Sequence, residues 1–375
     1  MNARTGHERG QTVVMIALAL VALIAMVGLA IDGGMVYLER RRMQNAADSA
    51  ALAGARRLSQ AICATNPNPA VTDAEIYNVV RDFVARNGGA NARFEARYVG
   101  FAGNRVVEYN PPRWVGGGTV PLGAAGIVVT ATITQPTYFL GIVGTSTGRA
   151  TASATAVTGP PLLVGGGLRP FGVPAPVVAQ LNPGDWLTVD FDNNGGTIRW
   201  VSGEAQHRGW MNLGYVWNQR ENPNWPRARD QNTGASDLKR WMQDGWNGTL
   251  YADCAWSAGC RTGDYIHAKP GADASAVCAA PLNTVFYVPV YDEVPYCQTQ
   301  IPAPKPACPT QGGGYCYHIV GFAAIKITAC SQGQKEIAAT LVEYISGEGV
   351  PSPNAGFGPG SNACASHVMV VSLWR

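Results

Sequence analysis

The chain has 375 residues, 46% of them hydrophobic and only 14% charged, with a formal net charge of +3. It has the apolar material for a sizeable core and the length of two modest domains, while its small, dispersed charge leaves no footprint for nucleic acid and no polybasic membrane patch. Forty-five glycines and 25 prolines exclude a predominantly helical bundle and point to many turns and short strands.

After a short tail, residues 1–10, the stretch 11–31 carries no charged residue. At about 1.5 Å per residue, about 21 helical residues cover the roughly 30 Å hydrocarbon core of a bilayer. Asp32-Gly33-Gly34 follows, then residues 35–60, an Arg- and Ala-rich run without proline that is expected to carry the helix on into water. Residues 11–62 therefore read as one transmembrane helix continuing as a stalk, with Gly33-Gly34 as the place for a bend. A secretory signal is the competing reading, because Gly28-Leu29-Ala30 offers a small-x-small cleavage site, but the apolar core is too long for one. Arg40, Arg41 and Arg42 after the span outnumber Arg4 and Arg9 before it. By simple counting that leaves the C-terminal part in the cytoplasm, yet long domains translocate largely regardless of such charges.

Within the stalk, Ala46, Ala50 and Gly54 recur every four residues and form a small-residue helix-packing stripe that lets a neighbour approach closely. The stripe serves either assembly with other subunits, self included, or packing on the protein's own sheet, and both readings stay open. The three arginines read as a solvated collar.

Residues 63–157 read as an α+β unit. Two prolines in 64–70 break the first helix. Thr72 is expected to cap a second helix at 73–86, whose Ile76, Val79, Val80, Phe83 and Val84 form one buried stripe before Asn87-Gly88-Gly89 ends it. Strand patterns follow at 92–98, 105–109, 126–134 and 148–157, with a compact apolar turn or short helix at 136–144. Residues 158–167 (TGPPLLVGGG) read as a linker. The remainder, 168–375, reads as a mostly β exported domain, with strand candidates at 186–191, 198–201, 282–290, 318–329, 336–344 and 367–374. One short helix is expected at 238–245, with Trp241 and Met242 on its buried side. The fold class is α+β.

The nine cysteines are unevenly placed. Cys63 stands alone, whereas Cys254, Cys260, Cys278, Cys297, Cys308, Cys316, Cys330 and Cys364 all lie in the final third. An even set of eight suits disulfides in an oxidising compartment and argues for export. Many pairings are open; Cys254 with Cys260 would close a short loop and is the first expectation. Zinc wants Cys or Cys/His pairs at ligand spacing, and Cys316-Tyr317-His318 supplies only one loose neighbour, so no metal site is expected.

Other constellations are weak. Residues 190–195 (DFDNNG) imitate the start of a calcium loop, but Val201 stands where a bidentate Glu is needed and a polar turn explains them better. Eight of the ten tryptophans lie between Trp186 and Trp256; exposed, they would form a platform for sugars or a protein surface, although aromatics in β domains are more often core. His207, His267, His318 and His367 are scattered, with no nucleophile elbow, zinc-protease helix or phosphate loop. No enzymatic activity and no cofactor are expected.

The opening Glu8-Arg9-Gly10-Gln11 with its apolar span, then Ala30-Ile31-Asp32-Gly33-Gly34, then residues 43–55 (MQNAADSAALAGA), closely resemble the TadE/TadG-like family of tight-adherence (Flp-type) pilus assembly. The likeness continues more weakly through Arg86-Asn87-Gly88, the 130–134 strand and Pro136-Thr137-Tyr138-Phe139. This resemblance implies a single-pass membrane protein, pilin-like or assembly-related, with its C-terminal bulk outside the cell membrane. Its implied partners are other pilin-like or apparatus subunits. Processed pilins carry Glu five positions after the cleaved Gly; here cleavage after Gly10 would put Met15 there, so an intact N-terminus is expected. The different class of reading is a surface adhesin or carbohydrate-binding module borrowing the anchor.

Overall fold

The computed structural model describes residues 8–62, 68–102, 105–192, 196–217, 233–252, 263–269, 271, 273–294, 314–346, 350–351 and 368–374. One continuous helix, α1 (Glu8–Ile62), organises the N-terminal part. It does not break at Gly33-Gly34. A glycine weakens a helix interior by only about 1 kcal/mol, and packing contacts on either side, at Asp32 and Val36, hold this turn in register.

The second helix, α2 (Pro69–Gly88), starts earlier than expected. Asn68, not Thr72, is its cap: the Asn68 side chain accepts from the N–H groups of Ala70 and Val71. Pro69 takes the first helical position, where its missing N–H is harmless. Thr72 is buried inside the helix.

Both helices back a sheet. Its strands β1 (Arg93–Ala102), β2 (Arg105–Glu108), β3 (Gly126–Pro136) and β4 (Thr147–Gly159) are antiparallel neighbours in the order β4-β3-β1-β2. Residues 126–136 alternate buried and less buried along most of their length, as a sheet with one covered face requires. A 3-10 turn, Leu140–Val143, sits in the loop between β3 and β4.

Residues 158–167, expected as a linker, are mostly strand instead. β4 runs on to Gly159, and β5 (Pro161–Gly165) follows almost at once. The apolar Leu-Leu-Val run needs burial, and Val164 finds it.

The second half supplies β6 (Val173–Pro174), α3 (Ala175–Val178), β7 (Trp186–Asp190), β8 (Gly196–Trp200), β9 (Gly203–His207), β10 (Trp210–Trp217), α4 (Ala235–Asp244), β11 (Thr249–Tyr251), β12 (Tyr265–Lys269), α5 (Ala274–Val277), β13 (Val285–Tyr291), β14 (Cys316–Ser331) and β15 (Glu336–Val342). Seven of these strands run in the order β10-β12-β14-β15-β7-β8-β9, and β13 joins β14 to β6. The core beneath them includes Phe171, Phe191, Trp210, Phe322 and Ile325. α4 buries Leu238, Trp241 and Met242, the side its pattern predicts.

The last strands cross between the halves. β16 (Tyr344–Ser346) and β18 (Val368–Trp374) return to the first sheet, giving β16-β18-β4-β3-β1-β2, while β17 (Val350–Pro351) pairs with β5. The C-terminal residues are therefore part of the N-terminal unit, which a division of the chain at 158–167 does not anticipate. Strand pairing at this sequence distance leaves no local signal.

Candidate functional site

The part of the molecule with the most distinctive chemistry is α1 and what holds it. Its apolar part, from Thr12 to Ile31, presents large side chains outward: Val13, Ile16, Leu20, Leu23 and Val27 are all exposed. This helix is long and apolar enough to cross a membrane. From Met43 onward the pattern inverts, and Met43, Ala46, Ala47, Ala50, Ala51, Ala55 and Leu58 are buried.

At the junction stands Asp32, buried although it ends an apolar run. Its carboxylate accepts three backbone hydrogen bonds from the β3–β4 loop: Tyr138 N–H at 2.9 Å, Phe139 N–H at 2.9 Å and Leu140 N–H at 2.6 Å. An anion facing consecutive N–H groups is a charge-assisted arrangement, stronger than neutral hydrogen bonds. One turn below, Gly28 lets the loop come close, because a Cβ there would lie 2.6 Å from Phe139 Cβ. One turn above, Val36 fits over Gly148 in the same way. A small cavity of about 40 Å³ beside them, lined by Val36, Glu39 and Pro136 among others, has room for about a water molecule.

A second carboxylate works near the start of α2. Asp73 accepts from the Tyr98 hydroxyl at 2.7 Å, Gly116 N–H at 2.9 Å and Gly118 N–H at 2.7 Å. Gly116 and Gly118 both have positive φ, the conformation that aims their N–H groups at one anion. Burial and the adjacent Asp73 carboxylate push the Tyr98 phenol up. Arg57 and Glu75 form an ion pair between the two helices.

The small-residue stripe lies in this interior. Ala46 and Ala50 are fully buried, and a Cβ on Gly54 would meet Val80 Cγ2 at 2.8 Å and Ile127 Cδ1 at 2.9 Å. The three positions face α2 and the first sheet, so they are covered within the chain. The outer half of α1 is thus the spine of the α+β unit rather than a free stalk.

Among the candidate cysteines, Cys278 and Cys330 form a disulfide with Cα atoms 5.5 Å apart, and Cys316 is disulfide-bonded too. Cys63, Cys254, Cys260, Cys297, Cys308 and Cys364, and with them the expected Cys254–Cys260 pair, lie outside the described residues.

The remaining constellations resolve into structure. Trp210 is buried and stacks on Phe191 at 3.9 Å, and Trp200 and Trp241 are also buried; Trp186 is 50% exposed. Asp190 of the calcium-like sequence pairs with Arg199 at 3.2 Å, while residues 193–195 lie outside the described residues. No group of three or more metal-ligating side chains occurs among the described residues. His207 Nδ1 accepts from Gly209 N–H at 3.0 Å, which leaves Nε2 to donate to the Asp190 carbonyl at 2.7 Å. Burial holds this imidazole below its ordinary pKa. His267, buried beside Tyr215, is pushed down to about 4 by the same cause. His318 Nδ1 lies 2.8 Å from Asp292, and His367 lies outside the described residues.

The roles of Asp32 and Asp73 were missed at the level of sequence. The available signal for Asp32 was a lone carboxylate ending a span of about 20 apolar residues, which is costly unless satisfied. For Asp73 no signal existed, because its partners lie in a distant strand and turn.

No curated protein and no solved structure matches the chain. Residues 10–57 match the family model described as putative Flp pilus-assembly TadE/G-like, and they cover α1 from its apolar start through the buried stripe. By that match, residues 10–57 are similar to the TadE/G-like family.

Proposed function

We propose that this chain is a single-pass, membrane-anchored minor pilin-like or assembly subunit of a Flp-type, tight-adherence pilus or a related secretion system. The observation that carries the reading is the inversion along α1: outward apolar side chains where the family match begins, buried small residues where it ends. The first half suits lipid, and the second locks the helix into the folded unit. The disulfides of Cys278, Cys330 and Cys316 support an extracytoplasmic position for the C-terminal bulk.

Because Ala46, Ala50 and Gly54 are covered inside the chain, contacts with other pilin-like or apparatus subunits fall to the exposed face of the span. There Ala22 and Ala25, three residues apart, permit close helix approach. The subunit acts without catalysis. Of the eight clustered tryptophans, Trp200, Trp210 and Trp241 are core side chains and so are not part of an adhesive platform, whereas Trp186 is exposed and Trp225 and Trp256 lie outside the described residues. Deletion with complementation tests the proposal: loss of pili supports an assembly role, whereas normal pili with lost attachment would replace it with adhesion.

A further inference from the structure

The hairpin tip that Asp32 holds is apolar and uncovered. Tyr138 is 68% exposed and Phe139 is 37% exposed, and Phe139 lies directly against Gly28 of the apolar helix. The exposed loop and the exposed helix are thus one continuous apolar surface. What covers the helix covers the loop. Under the anchored reading, on which this inference rests, that cover is lipid.

Distance along α1 gives the depth. Thr12 to Asp32 is about 20 residues, or about 30 Å of helix, which matches the hydrocarbon thickness. With the span filling the hydrocarbon, Asp32 and the loop stand at the boundary between acyl chains and headgroups. Aromatic side chains with one polar tip favour that layer. Irregular backbone is tolerated there only when its N–H groups are satisfied, and Asp32 satisfies three in succession. The loop also closes on itself, with Thr145 N–H donating to the Leu140 carbonyl at 2.9 Å and Thr137 N–H to the Ser146 carbonyl at 3.1 Å. The N–H groups of residues 137–140, 144 and 145 are therefore already paired where the tip meets lipid.

We propose that the β3–β4 tip is a membrane-interface foot, with Tyr138 and Phe139 seated at the boundary between acyl chains and lipid headgroups. Asp32 is the positioning residue, and the folded unit stands directly on the bilayer. The partner is a lipid surface.

Photo-crosslinking of the full chain in phosphatidylcholine/phosphatidylglycerol vesicles tests this, with p-benzoylphenylalanine replacing Tyr138, Leu20 or Leu122 in turn and adducts identified by mass spectrometry. Leu122 is an exposed control at the far end. Its neighbour Val120 bonds to Pro69, which begins α2 just beyond Ile62, about 45 Å along α1 from Asp32. Lipid adducts at positions 138 and 20, with none at 122, are expected. Lipid adducts at 20 but none at 138 overturn the foot and leave the anchor standing. Their absence at 20 overturns the anchored reading itself. Adducts to polypeptide at 138 replace lipid with a protein partner, and lipid adducts at all three positions show unspecific contact; both overturn the foot.

Discussion

The two sheets reach stability by different routes. The first is backed by long helices and closed with small side chains, so that alanines and glycines of α1 sit almost on the strands. The second has no long backing helix among the described residues; its core is aromatic, with Trp210 stacked on Phe191, and Cys278–Cys330 ties the end of α5 to β14 across 52 residues of chain. Local helical contacts form with little loop closure, whereas pairing of distant strands must overcome chain entropy, which a crosslink lowers. The part built on α1 is held by close approach, and the second sheet by large side chains and covalent bonding.

The strongest challenge to this division is the returning strand. Val371 on β18 is buried in the core of the first sheet, so Val371→Asp should destabilise the N-terminal unit by about 4 kcal/mol. Denaturant unfolding followed by hydrogen exchange on α2 would read this; unchanged exchange there would separate β18 from the first unit. Next, Cys278→Ser should cost about 3 kcal/mol, with exchange rising first in β13 and β14. An equal rise in α2 would show that both sheets unfold together.

Close approach is tested by Gly54→Leu, which forces a side chain into Val80 and Ile127 and should cost about 2 to 3 kcal/mol. Leu20→Ala, in the exposed span, should leave unfolding of the two sheets unchanged. The two carboxylates should differ as well. Asp73→Ala strands the Tyr98 hydroxyl and two N–H groups and should cost about 2 kcal/mol. Asp32→Ala frees the tip between β3 and β4 and should cost about 1 kcal/mol, with proteolysis appearing at residues 137–145. Equal losses would show that it makes no difference whether the carboxylate stands at the end of the apolar run of α1 or near the start of α2.

Mild acid should distinguish the sheets most gently. His267 in β12 has its folded pKa near 4 against an ordinary 6.5, so the unfolded chain binds the proton more readily. Its contribution is fully present above about pH 6.5 and is lost as pH falls toward 4. At pH 5.5 the second sheet should have lost about 1 kcal/mol, measurable by denaturant midpoint, and His267→Phe should flatten that dependence.

Much of the architecture was legible where local pattern decides it. The charge-free run of 11–31, the buried stripe of Ile76, Val80 and Val84, and the strands near 126–134, 318–329 and 336–344 follow from periodicity and appear in the fold. The start of α2 was displaced because Asn68-Pro69 is a better cap pair than Thr72 alone. The supposed linker became strand because its apolar residues found distant partners in β11 and β17.

The sequence by itself determined that the first helix carries a charge-free run at 11–31, that small residues recur along its outer half, and that an α+β unit is followed by strand-rich, cysteine-containing chain. These depend on the order of neighbouring residues, which sets periodicity and capping. Only the tertiary structure decided that Ala46, Ala50 and Gly54 are covered from within, that Asp32 and Asp73 each gather three donors, and that β18 closes the first sheet. Those outcomes depend on which distant surfaces meet, and a buried carboxylate or a small side chain acquires its role only from what is brought against it.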